Sequence, residues 1–170
     1  MNTRDLTAYL ENLEKPIRAI FISSYIPRKC GIATFTKDLT TAINVLNPEA
    51  LSEIVAISDK SNQYDYPWEV TYKIQQDKPE DYKACSNYIN QTSADIVVLE
   101  HEFGLFGGED GNYILELVLN LNKPLITCFH SILPTPTNNQ KYIMQELIKK
   151  SKASVAMITG PGVNATDAGE

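Results

Sequence analysis

The chain contains two histidines, and each stands at the end of an apolar run. His101 follows Asp95-Ile-Val-Val-Leu-Glu100, and His130 follows Leu125-Ile-Thr-Cys-Phe129. An imidazole at such an edge can hydrogen-bond a ligand hydroxyl or exchange a proton near neutral pH. A histidine that only satisfies nearby backbone groups is the ordinary alternative, but two at equivalent positions favour a functional pair. A third polar cluster, Ser23-Ser-Tyr-Ile-Pro-Arg-Lys-Cys-Gly-Ile32, precedes a helix-like stretch. There Gly31 lets a ligand approach backbone N–H groups, while Arg28 and Lys29 add charge where a helix dipole is positive. That combination suits a phosphate or diphosphate. Its spacing matches neither GxGxxG nor GxxxxGK[ST], which excludes a dinucleotide fingerprint and a P-loop.

The stretch from His101 to Asn112 holds four glycines but the opposite charge. Glu102, Glu109 and Asp110 repel phosphate, so a hydroxyl-rich ligand fits better, with carboxylates accepting from a sugar and Phe103 and Phe106 packing on its C–H faces. The plain alternative is a flexible loop whose Glu109-Asp110 pair favours a helix start. Cys30, at a helix N-terminus beside Arg28 and Lys29, is a candidate low-pKa nucleophile for a cysteine-dependent hydrolase. A small residue in a tight turn explains it equally well. No GxSxG elbow occurs, and His101-Glu102 lacks the second histidine of HExxH, so no metal site is expected.

These loops need elements to position them. Leu6, Leu10 and Leu13 suit a short amphipathic helix over residues 3–14, within a prefix of residues 1–16 that ends at Pro16. A buried-type strand follows at 17–24, then a helix carried by Ile32, Phe35, Leu39, Ile43 and Leu46. Further strands are expected at 51–58, 69–75, 95–100, 124–129 and 153–158. Between them, Pro79 opens a helix with Tyr82, Cys85 and Ile89 on one face, and Ile114, Leu117, Val118 and Leu121 mark another. Thr137 and Gln140 form a capping box for a helix through Ile143, Leu147 and Ile148, closed by Lys149-Lys150. Apolar strands alternating with amphipathic helices predict a Rossmann-like α/β domain over residues 17–158, a mostly parallel sheet with helices on both faces. Residues 159–170 are small and polar and predict an irregular tail.

Composition narrows the partners. In 170 residues, 15 basic against 21 acidic side chains leave a net charge of −6, which removes the basic footprint that nucleic-acid binding requires. The length suits one domain. Three widely spaced cysteines, Cys30, Cys85 and Cys128, fit neither a disulfide framework nor a metal clip and imply a reducing compartment. With no apolar leader and no run of about 20 apolar residues, the sequence predicts a cytoplasmic protein without a membrane span.

FISSYIPRKCGIATFTKDL and ADIVVLEHEFGLFGGEDGNYILELVLNLNKPLITCFHSILPTP, in this order, resemble the N-terminal half of family 4 (group 1) glycosyltransferases of GT-B fold. The resemblance spans residues 17–158 and implies an enzyme that transfers a sugar from a nucleotide-sugar donor, with retention of anomeric configuration. It implies that Gly31 lies against the donor diphosphate, with Arg28 and Lys29 beside it, and that Cys30 replaces the family's usual first glycine. His130 matches the histidine that orients a sugar hydroxyl at the reaction centre. His101 and the loop from Glu102 to Asp110, including Phe103, Gly107, Gly108 and Glu109, occupy the acceptor side. The departing diphosphate takes the acceptor proton, so no enzyme base, metal or resident cofactor is implied. The acceptor is a carbohydrate or a lipid-linked one, the latter compatible with peripheral membrane association. The family's donor-binding domain has no counterpart here, so the chain is expected to be a truncated form or fragment, inactive alone. A non-catalytic partner subunit that pairs with a separate donor-binding chain is the alternative.

Overall fold

The computed structural model describes residues 15–59 and 64–157. The expected helix at 3–14, the last residue of the expected final strand and the tail at 159–170 lie outside the described residues. The described residues form six strands: β1 Ala19–Ser23, β2 Glu53–Ser58, β3 Val70–Gln75, β4 Ile96–His101, β5 Leu125–Phe129 and β6 Ala153–Ala156. All are parallel and lie in the order β3-β2-β1-β4-β5-β6. The α/β reading of the sequence is thus borne out, with a Rossmann-like strand order that reverses direction between β1 and β4. In such sheets a crevice opens outside the carboxyl ends of the strands at the reversal.

Among the described residues, four α-helices cover the sheet: α1 Gly31–Leu46, α2 Pro79–Gln91, α3 Ile114–Val118 and α4 Asn138–Lys150. Strand side chains alternate between two faces. Ile20, Ile22, Val55, Ile57, Val97 and Leu99 face one way and pack with Tyr82, Cys85, Ile89, Ile114, Leu117, Ile143 and Leu147 from α2, α3 and α4. Phe21, Ile54 and Ala56 face the other way, against Leu39 and Ile43 of α1. Burying these strands on both sides is what makes their sequences apolar almost without interruption.

Local signals account for most helix ends. Thr137 Oγ1 accepts from Gln140 N, and Gln140 Oε1 accepts from Thr137 N, completing the expected capping box of α4. Pro79 opens α2 with Glu80 and Asp81 in its first turn. Two expectations change. The helix expected to reach Leu121 stops at Val118, because Asn120 and Leu121 turn more tightly and Asn90 at the end of α2 bonds Asn120 O and Asn122 N. Ile148, expected on the apolar face of α4, is half exposed, whereas Ile143 and Leu147 are buried. All four residues of β6 are exposed among the described residues.

Candidate functional site

β4 ends in Glu100 and His101, and strand alternation sends these neighbours to opposite faces. Glu100 pairs in register with Cys128 of β5 and turns toward the α1 side. His130, two residues past Cys128, turns the same way and meets it, with Nε2 2.7 Å from Glu100 Oε2. Glu100 is fully buried, while 12% of the His130 side chain remains exposed. Phe35, from the second turn of α1, sets its ring edge-to-face against the imidazole at 5.0 Å and 84°. The His130 backbone N–H donates to His101 O at 2.9 Å, and Ser131 Oγ donates to Glu102 Oε2. The loops after β4 and β5 are therefore tied together beside the histidine.

His101 sits differently from His130. It is fully buried on the helix-covered side, with ring centroids of Phe103, Phe129 and Phe106 at 4.9, 5.4 and 5.7 Å. Neither ring nitrogen has a hydrogen-bond partner among the described residues. Burial, reinforced by nearby His130, lowers its pKa to about 4, so the ring is neutral near pH 7. The two histidines thus share a sheet edge but not a surface, and His101 touches the site through its backbone carbonyl.

The loop after β1 leads into the N-terminus of α1. A hollow of about 450 Å³ opens there, lined by Pro27, Arg28, Lys29, Cys30, Asp59 and Tyr64. A Cβ added to Gly31 would meet nothing within 4 Å, so no packing contact demands glycine at this point. Lys29 is exposed. Arg28 is committed inward: it donates to Ile57 O at 3.0 Å and Gln76 Oε1 at 3.4 Å, and lies 3.5 Å from Asp59. Its charge is largely answered by Asp59, and its main effect is to pin the loops after β1, β2 and β3 to each other. Burial raises the Cys30 thiol, but hydrogen bonding to Ser24 and to the Ala33 and Ile32 N–H groups, with the Arg28 charge, outweighs it and holds the thiol below its ordinary value.

In the glycine-rich loop, packing accounts for several residue types. A Cβ on Gly107 would fall 2.0 Å from Gln76 O, and Gly108 has φ +82°. Gly107 N donates to Tyr82 Oη at 3.0 Å, and the same hydroxyl donates to Gln76 O at 2.7 Å. Asp110, itself at φ 54°, accepts from Thr137, Asn139 and Gln140 and so locks the loop to the start of α4. Glu109 is exposed, with its carbonyl accepting from Asn139. Phe103 is buried against His101. Glu102 alone of the loop's carboxylates reaches the His130 side, through Ser131.

A larger hollow of about 550 Å³ lies among α2, α3 and α4 and includes Glu80, Lys83, Tyr113, Glu116 and Tyr142. It contains no histidine or cysteine, so chemistry rather than volume places the candidate site at the carboxyl edge. Among the described residues, no cluster of three or more His, Cys, Asp or Glu side chains suits a metal ion, and no helix is long and apolar enough to cross a membrane. Glu100 and Phe35, the two residues that hold the His130 ring, carry no motif; strand alternation and the apolar run that ends abruptly in Glu100 are the only signals of the first. No protein-family model matches the chain, and a search of curated proteins finds no match either.

Proposed function

We propose that the chain is the acceptor-side half of a retaining glycosyltransferase that moves a sugar from a nucleotide-sugar donor to a carbohydrate or lipid-linked acceptor. The observation that carries this reading is the imidazole of His130, held by buried Glu100 at a carboxyl sheet edge, with the ring of Phe35 joining it to the helix whose N-terminus opens at Gly31. An imidazole orients a sugar hydroxyl, and the N-terminal end of α1 at Gly31 favours the diphosphate that leaves. Lys29 adds charge at the rim, while Arg28 shapes the loop more than it offers charge. Glu102 lies on the acceptor side. His101 supports the site from beneath, through its carbonyl. The place of work is the cytoplasm, with contact to a membrane surface when the acceptor is lipid-linked.

A donor-binding domain or chain completes the cleft in this reading, since the described residues offer few uncommitted cations to stabilise a leaving diphosphate. The test is transfer of labelled sugar by the chain, with and without a donor-binding half supplied. Expected are no transfer alone, transfer on reconstitution, and a loss of about a hundredfold or more in His130→Ala, as for removal of a group that acts in the transition state. Robust transfer by the chain alone overturns the division of labour, and an unchanged rate in His130→Ala overturns its role.

The exposure of β6 supports a second reading, a non-catalytic subunit that docks a partner through that edge. Val155, in β6, and Ile132, in the loop after β5, are each about half exposed. Size-exclusion chromatography with the donor-binding half separates the two: a stable complex without transfer favours the subunit.

A further inference from the structure

Glu100 is the most deeply placed carboxylate of the described residues, and it has no Lys or Arg partner. Its side chain is fully buried, Oε2 lies against His130 Nε2, and the thiol of Cys128 is the other hydrogen-bonding group beside it. Burying a carboxylate without a cation is costly unless hydrogen bonds to the charged form offset it. A separation of 2.7 Å lies in the range of such a bond. The facing Cys128 is pushed up to about 11 by burial, by the Glu100 charge and by hydrogen bonding to Glu100, so it stays a thiol and adds no negative charge beside the pair.

We propose that Glu100 is a positioning residue for His130: as a carboxylate it accepts the Nε2–H, fixes the ring tautomer, and leaves Nδ1 as the atom offered to a ligand hydroxyl. Three restraints converge on the ring. Glu100 holds one nitrogen, the edge-to-face contact with Phe35 sets the plane, and the bond from His130 N to His101 O fixes the backbone from which the side chain departs. The ring's only hydrogen bond among the described residues is through Nε2, and the side chain keeps 12% of its surface exposed. A histidine without such a partner exchanges between its two tautomers, whereas one whose Nε2–H is held by a carboxylate keeps Nδ1 as an acceptor while the ring is neutral. A neutral Glu100 that donates to Nε2 gives the reverse arrangement, with a proton on Nδ1, so the two states are distinguishable by experiment.

The inference rests on the glycosyl-transfer reading only for the identity of the hydroxyl. Long-range ¹H–¹⁵N correlation spectra of the intact, histidine-labelled chain near pH 7 report the tautomer of each ring directly. Expected for the neutral ring of His130 is a proton on Nε2 and none on Nδ1. In Glu100→Leu the pattern is expected to move to mixed tautomers. A wild-type spectrum dominated by the proton on Nδ1 alone, or one that Glu100→Leu leaves unchanged, overturns the proposal. The wild-type spectrum decides even where the variant does not fold, and Glu100→Asp, which shortens the acceptor, gives a second comparison. Adding UDP-glucose or GDP-mannose forms a separate arm. A shift at His130 Nδ1, weakened about tenfold in affinity by Glu100→Leu, supports the role in binding. Absence of any shift refutes the sugar-binding reading while leaving the tautomer result standing.

Discussion

Burial of His101 makes the fold sensitive to mild acid. In the unfolded chain its imidazole titrates near 6.5, and in the folded chain burial and the nearby His130 lower this to about 4. Below pH 6.5 the unfolded chain binds the proton and the folded chain does not, so stability is fully present above about pH 6.5 and is lost as pH falls toward 4. The difference corresponds to about 3 kcal/mol in total, most of which is gone by about pH 4.5. For a domain of this size that is a fall in Tm of about 5–10 °C. Urea unfolding between about pH 7.5 and 4.5, compared with His101→Leu, isolates the contribution of this histidine. Carboxylates act lower in the range: Glu69 is raised by burial, yet its hydrogen bonds and the Lys37 charge hold it below its ordinary value, and that stability is lost only as pH falls below the usual carboxylate range. The wild type is expected to lose stability across this interval more steeply than the variant. Parallel pH curves for the two proteins would refute the account of His101.

Tyr82→Phe keeps the buried ring but strands Gln76 O and the buried Gly107 N–H, so a loss of about 2–3 kcal/mol in urea unfolding is expected, together with faster hydrogen exchange at Gly107. A change below about 0.5 kcal/mol would contradict the bridging role. Thr137→Ala removes the capping box and one bond to Asp110, and is expected to cost about 1–2 kcal/mol, with Thr137→Ser restoring most of it. Alkylation by iodoacetamide, read by mass spectrometry, is expected to label Cys30 first, since its thiol lies below its ordinary value, then Cys128, with Cys85 protected until unfolding because burial pushes it far up. Labelling of Cys128 before Cys30 would contradict that order.

Strands were legible because parallel strands buried on both faces leave continuous apolar runs, as in Ile20–Ile22 and Val97–Leu99, all but Val98 buried. Helix α2 was legible in its face, since Tyr82, Cys85 and Ile89 are all fully buried, and α4 in its start, since a capping box is local. Strand order, by contrast, depends on contacts between distant residues. Without it, His101 and His130 look equivalent, although alternation along β4 puts Glu100 rather than His101 beside His130. Arg28 reads as a phosphate ligand until the fold brings Asp59, Ile57 and Gln76 to it. The glycine-rich loop reads as a sugar-binding loop, yet Gly107 and Gly108 answer to the Gln76 carbonyl, the Tyr113 ring and a positive φ. Tertiary contacts of this kind leave no periodic trace.

The central claim is that the carboxyl edge around Gly31 and His130 receives a nucleotide sugar. Backbone amide spectra of the intact chain, recorded during titration with UDP-glucose and GDP-mannose to millimolar concentration, test it most directly. The account predicts saturable shifts at the amides of Gly31, Ile32 and Ala33 and at His130, with the exposed end of α4 around Lys149 unmoved. Saturation without movement at those positions, or binding confined to the hollow among α2, α3 and α4, would contradict it.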